Sequence, residues 1–431
     1  MGAIQRSFIS SLDSGTKHEV LIRGWVFRLR VLAKTTFIII KDCTGLVQCV
    51  GATHDLHDVH LHLDDAIEVN GSVRQESRAP GGIELDIKAI VTLNRCSHKL
   101  PFHSSSDIAE VGSDILLEYR PLTLRNDHIG NVFKTQAAIL RYYREFLTAN
   151  HFTEIVSSKI VSGGTEGGTN LFALKYFERV AYLAQSPQFY KEHGVAGFER
   201  VYETGHVYRA EPHATSRHLT EYYSLDLEMG FIDGPEDIIQ LERELLTYIF
   251  DQMNRHCSHL LARHRKVPLP SMMNVPVWTF DECLERLRER AGRATLVDDL
   301  DPDAERRLCR MAYEEEGVPA VFVLGFPLSA RPFYTHPRTE TTAAGFDLLF
   351  AGLEITTGGQ RLHHREDLER ALLSRGISPN SFESHLRMFE LGMPPHGGLA
   401  IGLERLTAQI LGLANIREAT LYPRDRYRLT P

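Results

Sequence analysis

The N-terminal part of the chain alternates apolar and polar residues in five short runs between His18 and Leu93. Alternation with a period of two predicts strands that bury one face, and Gly, Asp and Pro residues between the runs mark turns. Five strands of this length predict a small closed β-barrel, although other small β domains have the same strand count. The runs are HEVLIRGWVFR, TTFIIIKD, GLVQCVG, AIEVNGSVRQ and GIELDIKAIVTL.

The rest of the chain combines helical periodicity with further strand-like runs. Apolar residues recur every three or four positions over about 131–150 and 235–261, which predicts two amphipathic helices. The strand-like runs come in blocks and do not alternate strictly with helices, which is typical of an α+β fold with an antiparallel sheet flanked by helices. We expect the following runs to be neighbouring strands: AYLAQ, RVYETGHVYRA, YYSLDLEMGF, GFDLLF and GLEITTG.

These patterns divide the chain into parts. Residues from about 94 to 126 are polar and show no sustained periodicity, which favours a hinge. We therefore predict the barrel at 1–100, the hinge at 101–126 and the larger domain at 127–431. Within the larger domain, 267–317 is rich in Glu, Arg and Leu and predicts a helical insertion.

Composition narrows the classes of function. The 431 residues carry a net charge of −8, which argues against binding nucleic acid by bulk charge, although residues 1–34 have a local surplus of cations. No run approaches the ~20 apolar residues of a membrane helix, and the N-terminus lacks the apolar core of a secretory signal, so we expect a cytoplasmic protein without a membrane partner. The six cysteines lack paired metal-ligand spacing, so we expect neither zinc nor disulfides.

Three segments carry charged residues that a sheet core does not need. In the first, two apolar runs between Arg200 and Phe231 flank a loop rich in cations, although a solvated turn has the same composition. In the second, Asp347 and Glu354 lie near predicted strand ends, where two hard carboxylates suit a Mg²⁺ that bridges phosphates. The loop of the first segment carries Arg209, Glu211, His213, Arg217 and His218.

The third segment, HGGLAIGLERLTAQILG, alternates small residues along a strand that leads directly into a helix. Small side chains permit the close approach of a flat ligand such as adenine, over which the guanidinium of Arg405 can stack. The small residues are Gly398, Ala400 and Gly402.

Together, in this order and spacing, the three segments resemble the signature motifs of class II aminoacyl-tRNA synthetases. Further segments resemble aspartyl-tRNA synthetases of the archaeal type, and the resemblance covers nearly the whole chain. These segments are TEGGTNLF, AQSPQFYK, RPFYT, MPPHGGLAIGLERL and YPRDRYRLTP.

The resemblance implies a site for ATP and Mg²⁺ in which Arg209, Arg405 and Glu354 are the catalytic residues. Arg209 holds the α-phosphate and the amino-acid carboxylate, and Tyr222 and Arg405 enclose the adenine. No side-chain nucleophile is required, because the substrate carboxylate attacks the α-phosphorus, so catalysis is positioning and charge stabilisation. Arg217 and His218 contact the outer phosphates, and the implied ATP contacts also include Glu211. The implied metal ligands are Asp347, Glu354 and Thr357.

The resemblance also implies aspartate as the amino acid. Lys191 and Arg361 match the cations that bind the side-chain carboxylate, and a neutral amide leaves such buried cations unpaired, so we expect asparagine to be rejected. Gln188 and Asp226 match residues near the substrate amino group. Glu166 lies in SGGTEGGTN, which resembles a mobile loop that closes over the amino acid.

In the barrel, the resemblance implies an oligonucleotide-binding (OB) fold that reads the anticodon. Phe37 stacks on the central base and Gln48 bonds to its edge, although a core phenylalanine and a surface glutamine are the alternatives. Pro80 stands where enzymes restricted to tRNA-Asp tend to have lysine, which favours charging of both tRNA-Asp and tRNA-Asn. Phe27, at the other discriminating position, matches neither type. Relaxed charging requires an amidotransferase to convert Asp-tRNA-Asn.

One motif departs from the family. FTEIVSSKI has Ser158 where a proline is usual, and this motif builds the family's dimer interface, so local rigidity there is in doubt while a homodimer is still expected. The alternatives are a strict tRNA-Asp enzyme, an asparaginyl-tRNA synthetase, a descendant that makes a free amide, and a non-catalytic RNA-binding paralogue. Lys191 and Arg361 oppose asparagine, the barrel opposes the free-amide enzyme, and the retained phosphate and metal residues oppose the paralogue.

Overall fold

A computed structural model describes residues 5–16, 18–56, 59–96, 99–164, 170–212, 215–291 and 299–430. The chain forms two compact units, Met1–Asp127 and His128–Pro431. Among the described residues no helix has both the length and the apolar content that crossing a membrane requires.

The first unit contains the predicted five-stranded barrel, closed in the order β1-β2-β3-β5-β4. All neighbouring strands are antiparallel except β3 and β5, which run parallel. Alternate residues such as Val20, Ile22 and Ile38 fill the interior, which confirms the period of two. Gly24 permits close strand packing, because a Cβ there would collide with the Lys41 carbonyl. The strands are β1 (Glu19–Val31), β2 (Thr35–Lys41), β3 (Leu46–Ala52), β4 (Ala66–Gln75) and β5 (Ile83–Asn94).

The segment predicted as an irregular hinge contains short helices. A 3-10 turn at Ile108–Glu110 precedes α1 (Ser113–Glu118) and α2 (Arg120–Thr123). The Asp64 carboxylate ties this segment to the barrel unit by accepting from Ser104 N at 3.2 Å. This tie joins residues 40 positions apart, so the local pattern did not reveal it.

The second unit is built on an eight-stranded mixed sheet, ordered β12-β13-β14-β15-β16-β11-β10-β6. Only the outer pairs β12–β13 and β10–β6 are parallel, so the α+β prediction is confirmed. The strands are β6 (Thr153–Glu154), β10 (Arg200–Tyr208), β11 (Glu221–Gly230), β12 (Val277–Thr279), β13 (Ala320–Leu324), β14 (Gly345–Phe350), β15 (Leu353–Gln360) and β16 (His396–Gly402).

One predicted strand neighbour is wrong. The run AYLAQ overlaps β9 (Arg179–Leu183), which pairs with β7 (Ile160–Val161) and β8 (Ala173–Tyr176) in a separate three-stranded sheet. Strand identity is a local property, but the choice of partner depends on hydrogen bonds between distant segments.

Helices cover this sheet. The apolar faces of the two predicted helices are buried in the main core, at Ile139 and Tyr143 in α3 and at Leu245 and Ile249 in α5. The second predicted helix is divided, because α5 ends at His256 and a separate turn, α6, follows. The helices of this unit are α3 (Asp127–Ala149, beginning at the unit boundary), α4 (Gln188–Phe198), α5 (Pro235–His256), α6 (Ser258–Leu261), α7 (Phe280–Ala291), α8 (Pro302–Glu316), α9 (Arg365–Ser374), α10 (Glu383–Leu386) and α11 (Leu403–Leu411).

The stretch predicted as a helical insertion, 267–317, is more closely integrated with the fold than the term implies. It contains all of α7 and α8, but also β12, which forms one edge of the main sheet. Trp278, Leu287 and Leu308 from this stretch share one core with Val321 and Phe326. It therefore completes one end of the sheet.

Candidate functional site

The cation-rich loop predicted from the sequence joins the antiparallel pair β10 and β11. Arg209 follows β10 directly and is held by a bond from its backbone N to Thr220 O at 2.9 Å. Its guanidinium carbon lies 5.7 Å from the centre of the Tyr222 ring, and its Nη1 lies 3.9 Å from Glu211 Oε1. His218 Nδ1 lies 2.7 Å from Thr215 Oγ1. The predicted α-phosphate and adenine contacts are therefore adjacent.

Arg217 is tied to the other end of the sheet. Its guanidinium pairs with Glu305 of α8, and Glu305 Oε2 also accepts from the backbone N of Glu354 at 3.1 Å. Burial raises the pKa of Glu305, although the Arg217 charge opposes this shift. The cation predicted to bind outer phosphates thus has a carboxylate partner in this conformation.

Glu354 and Arg405 meet at the start of α11. Arg405 Nη1 lies 3.3 Å from Glu354 Oε2 and donates to the Glu354 carbonyl at 3.0 Å. Thr357 Oγ1 donates to Glu354 Oε1 at 2.8 Å. Burial opposes ionisation of Glu354, but Arg405 and the Thr357 bond outweigh it, so the pKa is lowered. Since β16 pairs with β11, with Gly402 opposite Ser224, Arg405 lies on the same sheet edge as the beginning of β11.

Asp347 is buried opposite Thr357 in the β14–β15 pair. Both of its oxygens accept from Arg331, at 2.9 and 2.7 Å. Burial raises the pKa of Asp347 to about 6, with Arg331 lowering it and the neighbouring Glu354 carboxylate raising it further. A cation placed between the two carboxylates would relieve their repulsion.

A metal ion held here cannot rely on carboxylates alone. Among the described residues no group of three His, Cys, Asp or Glu side chains could hold a metal ion. An ion at Asp347, Glu354 and Thr357 therefore needs water or phosphate oxygens, which is the way in which Mg²⁺ commonly binds.

A second cluster lies deeper in the sheet, around Lys191 of α4. Its ammonium group is buried and donates to Asp226 Oδ1 at 3.0 Å and to the Leu399 carbonyl at 3.1 Å. It also lies 3.3 Å from Glu228 Oε2. Ser224 Oγ holds the other Asp226 oxygen at 2.6 Å. The three polar residues of β11 alternate along one face, as the strand period requires.

Arg361 also binds the carboxylate of Glu228, which it shares with Lys191. Its Nε donates to Glu228 Oε1 at 2.9 Å, and its Nη2 donates to the Gly398 carbonyl at 3.0 Å. Burial opposes ionisation of Glu228, yet Arg361 and Lys191 hold its pKa below the usual value. The Glu228 carboxylate passes so close to Gly398 that a Cβ there would collide with it. Glycine is therefore required at 398 by the carboxylate, independently of the predicted approach of a flat ligand.

Gln188 begins α4 and contributes to this cluster indirectly. Its Nε2 donates to Glu192 Oε1 at 2.6 Å, one helical turn further along. Gln188 and Lys191 are both buried on the face of α4 that meets the sheet. Glu166 lies outside the described residues.

The barrel unit has a groove of about 700 Å³ on the strands β1 to β5. Phe37 and Gln48, the two residues predicted to read the central anticodon base, both line it. Gln48 Nε2 donates to the buried Glu84 at 2.7 Å, which turns the amide oxygen of Gln48 away from Glu84. Four arginines line the groove, of which Arg74 and Arg78 pair with the carboxylates of Glu84 and Glu76 in the same lining. The other two are Arg28 and Arg30. An aromatic side chain within a cationic groove is the arrangement that binds single-stranded nucleic acid.

The other two predicted anticodon residues do not line this groove. Phe27 is half-buried on β1, with Lys41 Nζ 5.3 Å from the centre of its ring. Pro80 is exposed and begins the short 3-10 turn Pro80–Gly82 between β4 and β5. Any contact that they make with RNA lies outside the groove.

Comparison with known proteins identifies the family. Residues 112–426 match the family described as tRNA synthetases class II (D, K and N), and residues 20–93 match the OB-fold nucleic acid binding domain. The chain belongs to the class II tRNA synthetases. The predicted OB fold and class II catalytic domain are thereby confirmed.

Individual relatives of this synthetase are similar along their whole length. The aspartate–tRNA(Asp/Asn) ligase of Thermus thermophilus is 42% identical over 428 residues, covering 99% of this chain and 100% of the relative. The aspartate–tRNA(Asp) ligase of Pyrobaculum aerophilum is 38% identical over 419 residues, covering 96% of each chain. Among solved structures, asparaginyl-tRNA synthetase from Pyrococcus horikoshii complexed with asparaginyl-adenylate superimposes with a TM-score of 0.92 at 30% identity, covering 99% of this chain and 100% of that one.

The structure adds charged residues to the synthetase site that the sequence analysis did not assign. Glu228 shares the two substrate-side cations, Arg331 holds Asp347, and Glu305 holds Arg217. The sequence contained a signal for Glu228, because Ser224, Asp226 and Glu228 place three polar residues at every second position of an otherwise apolar strand. Arg331 and Glu305 have no such local signal, since their partners are distant in the chain.

Proposed function

We propose that this synthetase is an aspartate–tRNA ligase that activates L-aspartate with ATP and transfers it to tRNA-Asp and tRNA-Asn. The observation that carries the choice of amino acid is the pair of buried cations, Lys191 and Arg361, that share one carboxylate, Glu228. Lys191 also pairs with Asp226, so the two cations face two carboxylates in the free protein. When the substrate ammonium group takes Asp226, one cation is left for the side-chain carboxylate of aspartate.

The structure refines the argument against asparagine. Lys191 and Arg361 are not unpaired in the free protein, since each has a carboxylate partner. Selectivity then rests on the net charge once the substrate ammonium group pairs with Asp226. The side-chain carboxylate of aspartate balances the remaining cation, whereas a neutral amide leaves that cation as a buried surplus of positive charge. Asp226, beside Lys191, provides a negative charge suited to the substrate ammonium group.

In the first step, an oxygen of the α-carboxylate of aspartate attacks the α-phosphorus of ATP. A P–O bond forms to the amino acid, the P–O bond to pyrophosphate breaks, and aspartyl-adenylate results. Arg209 neutralises charge on the α-phosphate, and Tyr222 and Arg405 orient the adenine. No side chain becomes covalently modified in this step. The acceleration therefore comes from holding the attacking carboxylate in line with the bond to pyrophosphate and from stabilising the charge that develops.

The residues around Asp347 and Glu354 suit Mg²⁺. Both offer oxygen ligands. Burial and the negative charge of Glu354 raise the pKa of Asp347, and a nearby cation would oppose both effects. Asp347, Glu354 and Thr357 would hold the ion together with phosphate oxygens. When bound, Mg²⁺ supplies neutralisation of the charge that develops on pyrophosphate. Arg331, already paired with Asp347, keeps that carboxylate oriented.

In the second step, a hydroxyl of the terminal ribose of the tRNA attacks the carbonyl carbon of the adenylate. An ester bond to the tRNA forms, and AMP is released.

The groove around Phe37 and Gln48 is our candidate for the anticodon site, with its arginines contacting phosphates. Its position on a barrel matched by an OB-fold nucleic acid binding domain supports this assignment.

Relaxed choice of tRNA rests on Pro80. It is exposed and carries no charge where a lysine would add a phosphate or base contact, so the last anticodon base is read less strictly.

Charging of purified tRNA-Asp and tRNA-Asn transcripts tests the proposal, and Pro80→Lys should reduce charging of tRNA-Asn more than that of tRNA-Asp. Charging of tRNA-Asp alone by the unmodified protein would assign it to the strict class. A relaxed enzyme works with an amidotransferase that converts Asp-tRNA-Asn.

We also infer a homodimer in the cytoplasm. The motif that has Ser158 in place of proline is held by side chains, since Ser157 and Lys159 both donate to Glu203, at 2.6 and 2.8 Å. Val156, directly before Ser157, is 94% exposed, which suits a subunit contact. The molar mass in solution tests this, and Val156→Glu should yield monomers.

The amino acid is tested by ATP–pyrophosphate exchange. Aspartate should support exchange and asparagine should not. The alternative substrate has a specific observation in its favour, because the solved structure with the TM-score of 0.92 is an asparaginyl-tRNA synthetase. Equal or faster exchange with asparagine would establish that alternative.

A further inference from the structure

A buried carboxyl group next to the amino-acid pocket has no role in the steps above. Glu192 lies on α4 directly after Lys191, and its side chain is 0% exposed. Its Oε1 accepts from Gln188 Nε2 at 2.6 Å. Gln188 and Glu192 are separated by four residues, so they share one face of the helix.

The second oxygen of Glu192 faces a histidine. Oε2 lies 3.3 Å from His385 Nε2, and both atoms are buried without another hydrogen-bond partner among the described residues. Two lone pairs at this distance repel each other, and leaving both buried atoms unbonded is costly. A proton on one of the two atoms converts the contact into a hydrogen bond.

The surroundings of His385 disfavour the imidazolium form. Its ring stacks on Phe189 with centroids 3.8 Å apart and meets the edge of Phe389 at 5.0 Å. Its Nδ1 lies 2.9 Å from His193 Nε2, and one proton suffices for that bond. Burial, followed by the charges of His193 and His396, lowers the pKa of His385 to about 3.

The surroundings of Glu192 disfavour the carboxylate form. In the described parts of the chain, no Lys or Arg lies within ion-pair distance of Glu192. The two nearby cations have other partners, since Lys191 pairs with Asp226 and Arg361 pairs with Glu228. The negative Glu228 on β11 faces it instead. Burial, followed by the Glu228 charge, raises the pKa of Glu192 to about 8, although Gln188, Arg361 and Lys191 oppose the shift.

We propose that Glu192 is a positioning residue that acts as a neutral carboxylic acid, donating its proton to His385 Nε2 while its carbonyl oxygen holds the Gln188 amide. With His385 Nε2 accepting, its Nδ1 donates to His193 Nε2. The half-buried His193 therefore connects this chain of hydrogen bonds to the exterior. Gln188 must then direct its NH₂ group to Glu192 and its Oε1 away from it.

This arrangement has a consequence for substrate binding that rests on the proposed function. The Gln188 oxygen becomes an acceptor for the ammonium group of aspartate. When Glu192 loses its proton, the new carboxylate repels Glu228 and no longer donates to His385. Glu192 Oε1 still accepts from Gln188, but the repulsion from Glu228 displaces the carboxylate and the amide bonded to it, so the KM for aspartate should rise as the pH passes about 8.

Two substitutions separate this role from simple packing. In Glu192→Gln, the amide NH₂ can donate to His385 and the amide oxygen can accept from Gln188, so it reproduces the neutral acid without titrating. Glu192→Leu keeps the volume but leaves two buried polar groups unbonded, which should raise the KM for aspartate about tenfold with little change in kcat. Thermal unfolding of each full-length variant identifies any that fail to fold.

The experiment measures the KM for aspartate against pH by ATP–pyrophosphate exchange, together with the infrared carboxyl band that Glu192→Gln removes. We expect a protonated-carboxyl band at neutral pH, and a KM that rises above about pH 8 in the unmodified protein but not in Glu192→Gln. A carboxylate band at neutral pH, or a KM raised as much by Gln as by Leu, would overturn the proposal. If aspartate supports no exchange, the proposed function fails, and the infrared band still decides the protonation of Glu192.

Discussion

Arg361 and Glu228 form a buried pair in which Nε donates to Oε1 at 2.9 Å, and Lys191 lies on the other side of the same carboxylate, 3.3 Å from Oε2. One carboxylate between two cations keeps both in place before any substrate arrives. Lys191 also pairs with Asp226. In the proposed complex Asp226 binds the substrate ammonium group, which leaves one cation for the side-chain carboxylate, so the same cluster serves stability and the choice of substrate.

Glu228→Gln should lower the free energy of unfolding by about 3–5 kcal/mol, because it removes the carboxylate from a fully buried ion pair. Glu390→Gln is the matched control: it also removes a partner of an arginine, Arg365, but Glu390 is 54% exposed and its loss should cost at most about 1 kcal/mol. Denaturant unfolding followed by a probe of the second unit measures both. Equal effects would show that Glu228 is not a structural partner of the two cations.

Arg209→Ala and Glu354→Ala should each lower the rate of aspartate-dependent ATP–pyrophosphate exchange by at least about 10²-fold, because the first removes a cation that contacts the α-phosphate and the second removes a proposed ligand of Mg²⁺. Arg370→Ala removes an exposed arginine of the same unit and should leave the rate near that of the unmodified protein. For Glu354, the Mg²⁺ concentration for half-maximal rate should also rise. Normal exchange in either alanine variant would remove that residue from the catalytic set.

Glu305→Gln should lower the KM for ATP. In the free protein Arg217 pairs with Glu305, and it must leave this carboxylate to reach the outer phosphates of ATP. A charge-assisted hydrogen bond of about 1.5 kcal/mol corresponds to a change of about tenfold. Steady-state kinetics at saturating aspartate measure the change, and a KM that is unchanged or higher would indicate that Glu305 does not compete with ATP.

Phe37→Ala should weaken tRNA binding by about 1–3 kcal/mol, the usual loss when one base loses its stacking partner. Exchange without tRNA should be unchanged, because the barrel takes no part in that step. Phe8→Ala, another partly exposed aromatic of the barrel unit that lies off the groove, is the control. An equal loss in both variants, measured as KM for tRNA in aminoacylation, would locate the RNA elsewhere.

Stability should depend on pH through Glu192. Its pKa is raised from 4.5 to about 8 by burial and Glu228, so the folded chain keeps a proton that the unfolded chain releases. The stabilisation is therefore fully present below about pH 4.5 and is lost as the pH rises towards about 8. Glu192→Gln does not titrate, so its unfolding free energy relative to the unmodified protein should increase by about 1.4 kcal/mol per pH unit in this window. A pH-independent difference would mean that Glu192 is ionised in the fold.

Local pattern was sufficient for most elements and for the family. The five barrel strands and the apolar faces of α3 and α5 follow from residue periodicity, since a strand or helix must bury one face whatever its partner. The three motif segments are short and contiguous, so their resemblance to a class II synthetase was visible before any contact was known. The confirmed family match covers the same residues.

Partner choice was decided by the tertiary structure. The run AYLAQ is a strand as predicted, but its neighbours are β7 and β8, because hydrogen bonding to distant segments selects the sheet. Likewise β12 joins the main sheet from within a stretch predicted to be helical. Pairing is a long-range property that periodicity does not encode.

The same distinction applies to the site. Arg209, Glu354 and Lys191 were assigned from motifs, but the charges that set their behaviour come from elsewhere in the chain, and Glu305 lies 49 residues before Glu354. Whether Lys191 and Arg361 face one carboxylate or two, and whether Glu192 holds its proton, depends on burial and on distances between elements. Residue identity determined which charges are present, and folding determined which of them are neighbours and how far water is excluded from them.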